Sequence, residues 1–206
     1  MIKPAIIIKK STTLLLPVLL LIPIIVGCEK ETETPVVNLI PNGSFEINGQ
    51  PSLDGWKIFV NPRHDTTGEI AEMAPLNGGQ YSLGLKTYYS HFIPDPEGEG
   101  FLTETHNGKA ETWVTGLKGT IPLQLTAFIK GSEGSSSIGM KHIRGGQVID
   151  SKVFEESVID KWTAYTLTDT FDLVSSDSIF IQLTERPAHV SAIGYYDLVE
   201  LIRLDR

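Results

Sequence analysis

The chain has 206 residues, 41% of them hydrophobic and 20% charged, with one cysteine and a formal net charge of -8. That apolar share excludes a disordered chain, and a single cysteine excludes both an internal disulfide and a four-ligand zinc site built on thiolates. Only 17 Lys and Arg stand against 25 Asp and Glu, which argues against a nucleic-acid binder, because phosphate contacts need clustered basic side chains.

The charge is unevenly spread. Residues 1–27 hold Lys3, Lys9 and Lys10 and no acid, so residues 28–206 carry 14 basic and 25 acidic side chains, a net of -11. A basic start leads into an apolar run over residues 14–26, interrupted by Pro17 and Pro23. Thirteen residues are too few for a membrane span, which needs about 20. The run therefore reads as a secretory signal over 1–27. It ends in Ile25-Val26-Gly27-Cys28, which resembles the lipobox of bacterial lipoproteins. The resemblance implies that Cys28 is lipidated and becomes the mature N-terminus. Two or more acyl chains make such anchoring stable, at about 0.8 kcal/mol per buried CH2. An ordinary signal peptide with a chance cysteine is the alternative. The polar, acidic Glu29-Lys30-Glu31-Thr32-Glu33-Thr34-Pro35 that follows reads as a tether over 28–37, spanning on the order of 15–20 Å. An acidic stretch in this place resembles an export signal to the outer face of the outer membrane, the periplasm-facing location being the alternative.

Residues 38–206 suit one domain of a size that buries roughly 70% of its unfolded surface. Its predicted elements are strands. Asn38-Leu39-Ile40-Pro41-Asn42-Gly43-Ser44-Phe45-Glu46 opens it, with Asn42-Gly43 read as a tight turn of positive φ and Phe45 as an inward residue. Asp54-Gly55-Trp56 follows, Trp56 reading as a core plug, and then Asn77-Gly78-Gly79-Gln80-Tyr81-Ser82-Leu83. Residues 88–110, with Pro94, Pro96 and several glycines, read as a long surface loop. Thr115-Gly116-Leu117-Lys118-Gly119 precedes a strand over 123–130, with Leu123, Leu125, Ala127 and Ile129 on one face. The glycine- and serine-rich residues 131–137 read as a turn. Lys161-Trp162-Thr163-Ala164-Tyr165-Thr166-Leu167 continues into a strand with Leu167 and Phe171 on one side, and Trp162 reads as a second core plug. Residues 178–184 alternate Ile179, Ile181 and Leu183 with Phe180, Gln182 and Thr184, and 195–204 is the last strand. Many short alternating strands with regular turns predict an all-β, antiparallel sandwich or barrel.

In this order the motifs at 38–46, 54–56, 77–83, 115–119, 161–167 and 195–201 resemble the carbohydrate-binding modules of the cenC type, within the galactose-binding-like jelly rolls. The resemblance covers about residues 38–204. It implies a jelly-roll β-sandwich, first and last strands side by side, and a structural calcium (Ca2+) at Glu46 and Asp197. Calcium wants 6–8 oxygens, and an acid is often found where Ser44 stands. A lysine or a water is the other way to neutralise two carboxylates brought together.

Sugar recognition needs flat aromatic faces and a few orienting polar groups. The candidates are Tyr88, Tyr89, His91 and Phe92 on the predicted loop, and Trp113, which faces away from the core if Val114 faces it. Packing of the loop under its own rings, and burial of Trp113, are the alternatives. The net acidity suits neutral or basic ligands better than anionic glycans. Enzyme signatures are absent from the sequence: no GxSxG, HExxH, P-loop or GxGxxG. His64, His91, His106, His142 and His189 show no metal-ligand spacing and read as surface or loop residues. With 25 acids a glycosidase pair is open, but none is singled out. The sequence therefore predicts a lipid-anchored, non-catalytic envelope module at the outer membrane, with a glycan as partner, no nucleic acid, and membrane contact through the anchor alone. The alternative is a structural lipoprotein that contacts other envelope proteins through a jelly roll without a sugar site. A small glycan-active enzyme is the third reading.

Overall fold

Alternation of apolar and polar residues puts one side of a strand into a core and the other into water. The two clearest alternations become the central strands. The computed structural model describes residues 36–59, 61, 67–94, 101–188 and 190–205. The signal segment, Cys28, the acidic tether, His64 and His189 lie outside the described residues. Twelve strands follow in order: β1 (Glu46–Ile47), β2 (Gln50–Pro51), β3 (Lys57–Phe59), β4 (Gly68–Ala71), β5 (Ser82–Lys86), β6 (Tyr88–Pro94), β7 (Phe101–His106), β8 (Gly108–Thr115), β9 (Gly119–Arg144), β10 (Gln147–Leu173), β11 (Ser178–Pro187) and β12 (Ile193–Arg203). Every pairing is antiparallel. Among the described residues no helix is long and apolar enough to cross a membrane.

The long β9–β10 hairpin organises the fold. It closes on Gly145-Gly146, both at positive φ, the backbone that a two-residue hairpin turn requires. Residues 123–131 of β9 pair with β12, whereas residues 134–143 pair with β11. The hairpin therefore passes from one layer of a sandwich to the other. Layer one runs β4-β5-β12-β9-β10, and layer two runs β3-β8-β11-β9-β10. The inward positions change parity across the crossing. They are 121, 123, 125, 127 and 129 before it, and 138, 140 and 142 after it.

Residues 131–137, expected to form a turn, are thus continuous strand. Glycine allows the bend. A Cβ on Gly134 would overlap the backbone oxygen of Arg186, and one on Gly131 would lie 2.8 Å from Ser136 Oγ. β10 accommodates the same bend with register shifts around Ile159. Within residues 88–110, expected to be a loop, 88–94 and 101–106 form the two-stranded β6–β7 ribbon and 108–110 start β8.

Both layers feed one apolar cluster. Leu83, Leu125, Ile129, Ile181 and Leu183 are wholly buried in it, each contributing about 1.5–3 kcal/mol by leaving water. All of this cluster lies within the compact unit Thr34–Arg206. Trp56 is buried as expected, its ring 5.3 Å from Phe45 and its Nε1 donating to Asn42 O. Trp162 is not part of the core. It sits half-exposed where β10 slips register. Gly43 is needed for close approach and not for positive φ, because a Cβ there would overlap Val199 O. His142, expected at the surface, is buried, with Nε2 2.8 Å from Asp177 Oδ2.

Candidate binding face and buried carboxyls

The strand periodicity that buries Ile179, Ile181 and Leu183 puts Phe180, Gln182 and Thr184 on the opposite side, the first two half-buried and Thr184 buried. The registers align these residues with the outward residues of neighbouring strands. One row across layer two reads Trp113, Phe180, Lys141, Ser151. The next reads Lys57, Glu111, Gln182, Gly139, Val153, and a third reads Phe59, Lys109, Thr184, Ser137, Glu155. Two large rings are open to solvent here, Trp113 at 44% and Phe59 at 37%. Trp113 meets Phe180 edge-on at 5.3 Å, an orientation favoured by the ring quadrupoles. Lys141 Nζ lies 5.5 Å from the Phe180 centroid and Lys57 Nζ 4.7 Å from that of Phe59.

A polar ladder runs beside the rings. Lys141 Nζ donates to Gln182 Oε1 at 2.9 Å, and Gln182 Nε2 donates to Glu111 Oε1 at 3.0 Å. The ammonium and the carboxylate orient the amide between them. Gly139 is buried under Val153, whose Cγ2 lies 3.2 Å from where a Cβ would stand.

Of the residues expected to bind, Trp113 stands on this face, with Val114 buried behind it. Tyr88 and Tyr89 lie elsewhere, half-buried on β6. The Tyr88 ring is 6.2 Å from His106, and Tyr89 N donates to Ser191 Oγ. No ring contact among the described residues joins either tyrosine to Trp113. The backbone of His91 and Phe92 belongs to β6, but their side chains lie outside the described residues. Sequence reasoning missed Phe59, Phe180, Gln182, Glu111 and Lys141. The alternation of 178–184 had marked Phe180 and Gln182 as outward. What it lacked was the register that sets them beside Trp113.

Glu46 and Asp197 come together, though not through paired strands. Glu46 belongs to the small β1–β2 hairpin, and the segment before it bonds β12 singly, Leu39 N to Leu201 O and Val199 N to Gly43 O. The Asn77-Gly78-Gly79 turn lies across both acids. Glu46 Oε1 accepts from Gln80 N and from Tyr81 N, the latter at 2.6 Å. A Cβ on Gly79 would overlap Glu46, and one on Gly78 would overlap Asp197 Oδ2. Asp197 is fully buried. Its Oδ1 accepts from Leu198 N at 2.7 Å, while Oδ2 has no partner. Burial, and then the nearby Glu46 charge, raise its pKa to about 8 against the Leu198 N–H that lowers it. Among the described residues no group of three or more His, Cys, Asp or Glu side chains gathers as for a metal. A cation here would therefore draw its remaining oxygens from backbone and water.

A second buried carboxyl, Glu185, lies at the crossing of the layers. Ser136 Oγ donates to its Oε2 at 2.5 Å, and its Oε1 has no partner. Gly134 and Gly194 pack directly on it. Burial raises its pKa to about 7 despite the hydrogen bonds from Ser136 and Tyr196. Asp177 has the opposite environment. The Arg144 guanidinium, Val174 N–H and His142 hold it well below the usual carboxylate range, tying the β10–β11 turn to β9.

No protein-family model and no curated protein matches the chain, but solved structures do. The enzymatically active domain of bacteriophage CBA120 tailspike protein 4 aligns with a TM-score of 0.59 at 13% identity over 82% of this chain, which spans 22% of that one. TmCBM61, solved with beta-1,4-galactotriose, gives 0.53 at 14% identity over 81% of this chain and 99% of that one. A family 16 carbohydrate-binding module gives 0.51 at 19% identity over 80% and 99%. The chain thus has the antiparallel β-sandwich, jelly-roll fold of carbohydrate-binding modules. Fold alone does not fix a ligand.

Proposed function

We propose that this chain is a non-catalytic carbohydrate-binding module, held at the outer membrane by a lipid on Cys28 and presented to the cell surface. The observation that carries the reading is the set of rings on the outer side of layer two, two of them open to solvent. Phe59, Trp113 and Phe180 offer apolar platforms, and Glu111, Gln182 and Lys141 form an oriented polar ladder beside them. Sites of this kind combine aromatic surface with a few placed polar groups. The fold shared with TmCBM61 and the family 16 module supports it. A glycan array on the Thr34–Arg206 unit tests it, with glycan binding by the parent unit that is lost in Trp113→Ala/Phe180→Ala. Silence on the array would overturn it. Labelling with a radioactive fatty acid tests the anchor, and Cys28→Ala is expected to abolish incorporation.

Glu46 and Asp197 are proposed to hold a structural calcium. The unpartnered, buried Asp197 Oδ2 and the side-chain-free Gly78 against it fit a cation better than a lysine, since no lysine among the described residues reaches this oxygen. When bound, the ion would neutralise the pair and fix the 77–79 turn.

A second reading, a jelly roll that docks on other envelope proteins, is favoured by one feature. Val148, Ile149 and Val153 on β10 are each more than half exposed, an apolar edge of the kind used in interfaces.

A further inference from the structure

The chain as a whole is acidic, yet the proposed binding face is basic. The three rows across layer two, with Arg186 beyond Thr184 on β11, carry Lys57, Lys109, Lys141 and Arg186 against Glu111 and Glu155. Arg186 is neutralised, its Nη1 lying 2.9 Å from Glu155. Glu111 is buried and turned to Gln182. Among the described residues Lys57, Lys109 and Lys141 make no ion pair, so three of the few basic side chains of a net-negative domain stand without a carboxylate. Two of them rest against rings of the same face.

We propose, resting on the sugar-binding reading of this face, that its ligand is an anionic polysaccharide whose charges are uronic acid carboxylates. A neutral glycan laid over the face would strip water from three ammonium groups and give them only hydroxyls in return, at a net cost. A polyuronate supplies carboxylates instead, and charge-assisted hydrogen bonds are the stronger kind. Lys57 on β3 and Lys141 on β9 stand three inter-strand steps and two residues apart, on the order of 16 Å, so the ligand is a chain and not a single sugar. The uronate carboxylate lies at the rim of the pyranose ring. With that ring stacked on Phe59 or Phe180, the carboxylate comes beside the ammonium already held there. Carboxylate is preferred over sulfate because the unpaired cations are compact lysine ammoniums. The face's arginine is already paired with Glu155, so the compact, strongly hydrated ammoniums select the more basic carboxylate oxygens as acceptors over the weakly basic oxygens of a sulfate ester.

The test is titration of the Thr34–Arg206 unit, which holds the entire core, with oligogalacturonate, its methyl-esterified form, a neutral galactan and a sulfated galactan. The expected result is binding to oligogalacturonate that weakens at least tenfold on going to about 0.5 M salt and about tenfold in Lys57→Ala and in Lys141→Ala. Esterification should abolish the salt dependence. Circular dichroism of each variant checks folding, and Lys141→Arg should retain most of the affinity. Neutral galactan or the ester bound more tightly than the acid, with the lysine variants unaffected, would overturn the inference and leave the sugar-binding reading standing. Preference for sulfated galactan would overturn the choice of carboxylate. Binding to none of the four, with no binding on the array, would overturn both.

Discussion

The two outer faces of the sandwich arise from the same alternation of inward and outward residues, yet they differ in kind. On layer one, Thr126, Thr166, Thr168 and Thr170 face outward, with Thr126 and Thr166 hydroxyls 3.2 Å apart. The same layer carries Asp197, whose register sets it opposite Phe128, beneath the Gly78–Gly79 turn. On layer two the outward rows hold rings and lysines, and no turn among the described residues covers Trp113. Layer one buries and caps the Asp197 carboxyl while leaving Glu69 and Glu200 exposed; layer two sets rings and lysines side by side. The difference teaches that net charge does not report on the charge of one face. The -11 of residues 28–206 points to neutral or basic ligands, but the local balance across layer two has the opposite sign.

The contrast is most directly broken by removing the rings. Trp113→Ala/Phe180→Ala is expected to lower glycan affinity by 100-fold or more, each central aromatic contributing about 2 kcal/mol. Thermal stability should fall only modestly, because Trp113 is an open surface residue and Phe180 is half-buried against it.

The next effect separates the buried carboxyls from the face. Glu185 has a folded-state pKa raised from 4.5 to about 7. The folded state therefore binds the extra proton, and stability is fully present below about pH 4.5 and lost as pH rises through 7. Glu185→Gln should remove that loss and raise stability at pH 8 by about 3 kcal/mol, read by urea melts across pH. A flat wild-type profile between pH 5 and 8 would disprove it. Asp197, raised to about 8, adds the same sign of loss between pH 4 and 8.

Calcium should reverse the Asp197 part. An ion at 100 times its dissociation constant stabilises by about 2.7 kcal/mol. Thermal shift should rise with millimolar calcium in the wild type and not in Asp197→Asn. No shift in the wild type would remove the site. Gly78→Ala should destabilise by roughly 1–3 kcal/mol through overpacking on Asp197 and Pro75, leaving glycan affinity of the folded fraction unchanged. Thr166→Ala, on the capped layer, should change stability by no more than about 0.5 kcal/mol and binding not at all.

Much of the fold was legible because burial follows period two. Leu123, Leu125, Ala127, Ile129, Ile179, Ile181 and Leu183 are all fully buried, and Gly145-Gly146 turns as two adjacent glycines suggest. The failures lie where local signals are ambiguous. Glycines in 131–137 read as a turn because glycine serves turns and bends alike. Only the pairing of β9 with both β11 and β12 makes them a bend. Prolines and glycines in 88–110 suggested a loop, but among the described residues Pro94 ends β6 opposite Phe101 and Gly108 starts β8. For the same reason the residues of the candidate face were read only in part. Trp113 was found from its alternation with Val114, whereas Tyr88 and Tyr89 drew notice as a run of aromatics and sit on another ribbon.

The sequence by itself determined the class of fold, the inward residues of the central strands and the outward turn of Trp113, since these depend on neighbours two positions apart. It also brought Glu46 and Asp197 forward as a pair, through resemblance. Only the tertiary structure decided which outward residues share a face. Cross-strand register joins Phe59, Trp113 and Phe180 from β3, β8 and β11, and it joins Lys57, Lys109 and Lys141 from β3, β8 and β9. A shift of one residue in any of these pairings would turn that strand's set to the core.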